Sequence, residues 1–92
     1  MGQVQGYIDR SNFDLDKISG RLKALGYEIK GQSFIKHGRI ESVLNELVPL
    51  VEEQGANVFE DLYLEEYKPS GQVVAKYQKG KVDRRENYYI DN

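Results

Sequence analysis

The stretch "IESVLNELVPLVEE", beginning at Ile40, constrains the fold of this chain more than any other. Ile40, Val43, Leu44, Leu47, Val48 and Val51 recur at intervals of three and four, which draws one apolar stripe down a helix. Such a helix is stable only where its stripe is covered by another layer. Gly55 closes it as the expected C′ residue. Pro49 lies inside the stripe, where it removes a hydrogen bond and crowds the Asn45 carbonyl, so a kink is expected, or a break with Pro49 opening a second short helix.

A second one-sided helix is read over about residues 12–25, from Leu15, Ile18, Leu22 and Leu25. Ser11 is its candidate N-cap, with Asp14 three residues on and Gly26 just past the end. Around the helices the pattern changes to strands. "VQGYI" is a short first strand weakened by Gly6, and "YEIKGQSFI" is a strand with a bulge at Gly31. "NVFEDLYLEEY" alternates into a hairpin turn at "KPSG", and Lys79-Gly80 makes a second turn. With Pro69-Ser70 as the first loop, Leu64 faces Ala75 and Leu62 faces Tyr77; the second turn sets Tyr77 against Val82 and Lys76 against Asp83. Tyr63, Lys76 and Asp83 then share a polar outer face. The order β-α-β-α-β-β predicts a two-layer sandwich of the α+β or α/β class, with a C-terminal β-hairpin arm or meander. Its strand-helix-strand units favour right-handed parallel crossovers.

Ninety-two residues form a single domain, 1–92, with a small core, and burial in a homo-oligomer is the usual way such a core is supplemented. The chain has no cysteine, which excludes disulfides, thiolate metal sites and cysteine nucleophiles. It has no apolar leader and no run of about 18 apolar residues, so no membrane span is expected. That pattern suits a cytoplasmic protein, and an exported mature domain shares it.

Catalytic signatures are lacking. His37, the only histidine, sits in "KHGR" between cations and reads as a turn residue. Glu52-Glu53, Glu60-Asp61 and Glu65-Glu66 are adjacent pairs, and adjacent strand residues point to opposite faces. No P-loop, G-x-G-x-x-G or G-x-S-x-G motif is present. A non-enzyme without cofactor or metal is the expectation.

Charge is unevenly placed. The net charge is −2, yet residues 1–40 carry seven bases and four acids, residues 41–67 eight acids and no base, and residues 68–92 six bases and three acids. "VAKYQKGKVDRRENYYI" puts Lys76, Lys79, Lys81, Arg84 and Arg85 among three tyrosines, a composition suited to phosphates and stacked bases.

The element order, with "IKHGRI" from Ile35 to Ile40 and the hairpin "SGQVVAKYQKGKVDRRENYYI", resembles the Alba family of small chromatin and RNA-binding proteins. That family carries "IKxxGRxI" where its second strand enters its second helix, one residue longer than here. The resemblance implies a homodimer that grips duplex DNA or RNA. Lys36 and Arg39 would match the body contact, Lys79, Lys81, Arg84 and Arg85 the arm contacts, and Arg10 the family's lysine-rich loop. The other reading is a protein-interaction module, such as a small bacterial envelope or stress protein, that docks a basic partner on its acidic central third or adds a strand at a sheet edge.

Overall fold

A computed structural model describes residues 2–9 and 13–85. It contains β1 (Gln3–Ile8), α1 (Asp16–Ala24), β2 (Glu28–Lys30), β3 (Ser33–His37), α2 (Ile40–Glu53), β4 (Leu62–Tyr67), β5 (Val73–Gln78) and β6 (Lys81–Arg84). The strands form one sheet in the order β2-β3-β1-β4-β5-β6, and every neighbouring pair is antiparallel. Both helices cover one face, which gives the two-layer α+β sandwich expected from the sequence.

The strands joined by each helix are parallel to one another but not adjacent. β3 lies between β1 and β2, and β1 lies between β3 and β4. This is the split βαβ arrangement, extended beyond β4 by a meander. It arises at Gly31, where the sequence suggested a bulge. Gly31 instead adopts φ +61 in a two-residue turn, so "YEIKGQSFI" folds into a hairpin that pairs Glu28 with Ile35 and Lys30 with Ser33.

Side-chain alternation divides the sheet, except at the start of β5, where Val73, Val74 and Ala75 are all buried beside a register shift at Glu66/Tyr67. Val4, Gly6, Phe34, Leu62, Leu64, Ala75 and Tyr77 face the helices, where Ile18, Leu22, Ile40, Val43, Leu47 and Val51 meet them. The second turn has the expected register, with Tyr77 opposite Val82 and Lys76 opposite Asp83. The first is displaced by two residues: Leu64 pairs with Tyr77 and Glu66 with Ala75. A longer loop is the cause, for the Lys68 amide donates to Gln72 O at 2.8 Å and the Gly71 amide to Lys68 O at 2.8 Å. A shift of two preserves each residue's face, so the expected outer face of Tyr63, Lys76 and Asp83 survives the change.

At α1 the chain enters the helix later than expected. Asp14 Oδ1 accepts from the Asp16 amide at 3.0 Å, while Ser11, the expected cap, lies outside the described residues. α2 runs unbroken through Pro49, so no second helix begins there. Pro49 is solvent-exposed and gives the Asn45 carbonyl no amide to accept from. Pro49→Ala is therefore expected to stabilise the domain by about 1–2 kcal/mol, after allowing for the looser unfolded chain. A thermal melt is the check, with a rise in Tm of roughly 5–10 °C.

Candidate nucleic-acid interface

Of the seven basic residues singled out in the sequence, Arg10 lies outside the described residues. The structure does not bring the others to one face. Lys36 points to the helix side of β3, half-buried, with its ammonium 2.8 Å from both Glu46 oxygens and 4.9 Å from the centre of the Tyr27 ring. Tyr27 donates to Glu46 at 2.8 Å as well. Burial, then the Glu46 carboxylate, pushes the Tyr27 hydroxyl pKa up; burial also acts to raise Glu46, but Lys36 and Tyr27 outweigh it and leave that carboxyl below its ordinary value. This cluster ties β3 and the residue just before β2 to α2, a structural task.

Arg84 also faces the helices. Its guanidinium grips Glu66 through two hydrogen bonds at 2.8 and 2.9 Å and reaches Glu41 at 2.7 Å. Arg39, exposed before α2, lies 3.9 Å from Glu41, and Arg85 lies 3.0 Å from Asp83. Lys79 and Lys81 differ, for among the described residues neither forms an ion pair. Lys79 takes φ +51 and Gly80 φ +79, the conformation of a two-residue hairpin turn, which presents both lysines at its tip.

The face of the sheet away from the helices carries a more ordered arrangement. Registered pairing aligns Lys30 with Ser33, Ser33 with Tyr7, and Tyr7 with Tyr63. One step past the Leu64–Tyr77 pair, the same line reaches Gln78, which pairs with Lys81. This row crosses six strands, about 24 Å at the usual strand spacing. It has a lysine at each end, an aromatic pair at the centre and no acid within it, although Lys30 lies 3.9 Å from Glu28. Tyr7 and Tyr63 stack with ring centroids 5.0 Å apart and planes 13° from parallel, and Tyr7 is 47% exposed. Beside them opens a groove of about 310 Å³ lined by Gln5, Tyr7, Tyr63, Glu65, Lys76 and Gln78, among others.

The flanking rows are acidic in part. Gln5 faces Glu65, Glu65 faces Lys76 at 3.9 Å, and Lys76 faces Asp83. On the other side the Asp9 amide donates to Asp61 O at 2.7 Å, and the Asp61 carboxylate is held by the Asn57 amide at 2.8 Å. The row of Tyr7 and Tyr63 is thus a neutral-to-basic lane between carboxylates.

Sequence reasoning placed Tyr63 on the outer face but did not find Tyr7 or Lys30. The signal for Tyr7 was its parity with Gln5 opposite buried Val4. Its partner, 56 positions away, could be found only once β1 was known to pair with β4.

Fold and surface define a class of small α+β domain with an open, aromatic-bearing sheet face. Comparison with protein-family profiles, with curated proteins and with solved structures finds no match. Among the described residues, no cluster of His, Asp or Glu could hold a metal ion, and no helix is long and apolar enough to cross a membrane.

Proposed function

We propose that the protein is a non-catalytic binding module that receives single-stranded nucleic acid across the open sheet face. The row Lys30–Ser33–Tyr7–Tyr63–Gln78–Lys81 carries this reading. Aromatic faces stack on unpaired bases whatever their identity, amides and hydroxyls bond their edges, and lysines at both ends take phosphates. A duplex hides its base faces and gains nothing from a stacked tyrosine pair. The duplex-gripping homodimer implied by the Alba resemblance draws less support, because Lys36 and Arg84 face the helices and are held there by Glu46 and by Glu66 and Glu41. The tip lysines Lys79 and Lys81 serve either arrangement.

A net charge of −2 does not oppose the reading, since a polyanion responds to the local field of the lane rather than to the sum. Affinity is expected to be modest and to fall with salt.

The test is fluorescence anisotropy with 12-nucleotide RNA and DNA single strands and a matching duplex, over a salt series. Single strands are expected to bind in preference to duplex. Tyr7→Ala and Tyr63→Ala should each weaken binding about tenfold. Lys81→Gln should lower the salt slope by about one. Duplex binding untouched by the tyrosine changes would return the hairpin-arm reading. No binding to any nucleic acid would favour a protein partner.

A further inference from the structure

The loop between α2 and β4 exposes a large apolar side chain that the core does not use. Phe59 is 58% exposed, yet its loop is tightly built. Asn57 Oδ1 accepts from the Phe59 amide at 2.7 Å and from the Glu60 amide at 3.1 Å. Asp61 in turn donates from its amide to Asn57 O at 2.8 Å and accepts from the Asn57 amide. These reciprocal bonds fix the backbone that presents the ring. The ring lies against Gly80, where any Cβ would collide with it, and so it sits at the Lys79-Gly80 tip. An aromatic held in the open by a rigid loop loses little freedom when a ligand covers it.

A second groove of about 290 Å³ lies at the same end of the sheet. Lys76, Gln78, Lys79, Lys81 and Asp83 line it, so three ammonium groups meet one carboxylate. It shares Lys76 and Gln78 with the groove beside Tyr7 and Tyr63. The two share these walls along a path from the tyrosine pair to the tip; Phe59 lines neither but stands just past the tip, its ring against Gly80, beside a separate groove that it lines with Glu52, Asn57 and Val58. A polyanion with flat apolar groups at intervals complements that path in both charge and shape.

Resting on the proposed single-strand reading, we infer that Phe59 is a second base-stacking position for the same strand. Bases stack on Tyr7 and Tyr63, the backbone passes over Lys76 and Gln78, its phosphates meet Lys79 and Lys81, and a further base covers Phe59. The strand's course across the domain is thereby fixed, and it ends at the hairpin tip.

Oligouridylates and oligothymidylates of increasing length, from three to twelve nucleotides, test this by anisotropy against wild type, Phe59→Ala, Phe59→Leu and Tyr63→Ala. Wild-type affinity should climb in a step that both Phe59 variants lack, leaving them about tenfold weaker on long strands and unchanged on short ones. Leucine keeps the bulk beside Gly80 without a flat π face, so it separates stacking from support of the turn. If both variants match wild type at every length while Tyr63→Ala still weakens binding, Phe59 is not a stacking position and the sheet-face reading stands alone. An equal loss at all lengths would assign Phe59 to the fold and overturn the inference as well. Absence of wild-type binding, or binding indifferent to Tyr63, removes both.

Discussion

Gly6→Val is expected to cost at least about 3 kcal/mol, enough to leave much of a domain this size unfolded at 37 °C. Gly6 sits in β1, the strand at the middle of the split βαβ arrangement, and it pairs with Phe34 on one side and Leu64 on the other. Both partners are large and almost wholly buried. A Cβ on Gly6 would overlap the Leu64 Cδ2 methyl, and it would stand 2.9 Å from the Phe34 ring and 2.8 Å from the Tyr63 carbonyl oxygen. The leucine methyl can turn away, but the carbonyl belongs to the ladder between β1 and β4 and cannot. Valine adds two further methyl groups to that overlap. The absent side chain is therefore what lets Phe34 and Leu64 meet across the central strand. Urea denaturation measures the loss, and Gly20→Ala is the control. Gly20 lies on the exposed side of α1 with open space about it, so alanine there should stabilise by about 1 kcal/mol through helix propensity. A Gly6→Val domain as stable as wild type would mean that β1 does not pack as described.

Gly6 also shows which features the sequence carried and which it did not. It was legible as a weakness in a strand, because local propensity counts against glycine there. Its role as a site of close approach was not, since that depends on Phe34 and Leu64, 28 and 58 positions away. The same division holds elsewhere. The two helices and the second hairpin follow from patterns spanning a few residues, and the structure has all three, the first helix beginning later than its expected start near residue 12. The split of "YEIKGQSFI" at Gly31 depended on a left-handed turn that a bulge glycine resembles in sequence. The first hairpin register failed because "KPSG" fits a two-residue loop locally, whereas Gln72 closes a longer one. For the surface, charge could be counted but not paired. Lys36 and Arg84 looked available until the packing of α2 on the sheet brought Glu46 and Glu41 to them and strand pairing set Glu66 in line with Arg84 across β5.

Glu66 should show the strongest effect among the charged residues. Among the described residues it is the buried carboxylate, 7% exposed, and its side-chain bonds cross between elements. One oxygen accepts from the Ile40 amide at 3.0 Å, which satisfies an unpaired donor in the first turn of α2 and places a negative charge at that helix end. Both oxygens accept from Arg84 on β6. Glu66 thus joins β4, α2 and β6 at one point. Glu66→Ala is expected to cost about 3 kcal/mol, since it orphans the Ile40 amide and leaves a partly buried guanidinium with Glu41 alone. Glu66→Gln keeps an acceptor for Ile40 but loses the charge, and about 1–2 kcal/mol is expected.

Acid should act through the same residue. The Arg84 guanidinium holds the Glu66 carboxyl below its ordinary value of 4.5, against the opposing effect of burial and with help from the Ile40 amide. Folded Glu66 therefore binds fewer protons than unfolded Glu66, and its stabilisation is complete above about pH 4.5. It is lost as the pH falls through the depressed folded value. Glu46, likewise lowered by Lys36 and Tyr27, acts in the same direction, so wild type should weaken in acid through both. Urea titrations from pH 7 to pH 3 should show a shallower decline for Glu66→Gln than for wild type, the two curves converging in acid. Parallel curves would show that Glu66 does not change its proton affinity on folding. Glu66→Leu combined with Arg84→Met should recover much of the loss at neutral pH, because a buried ion pair stabilises little over an apolar pair of similar volume. Failure to recover would place the weight on the Ile40 bond, making Glu66 chiefly a helix cap supplied from a neighbouring strand.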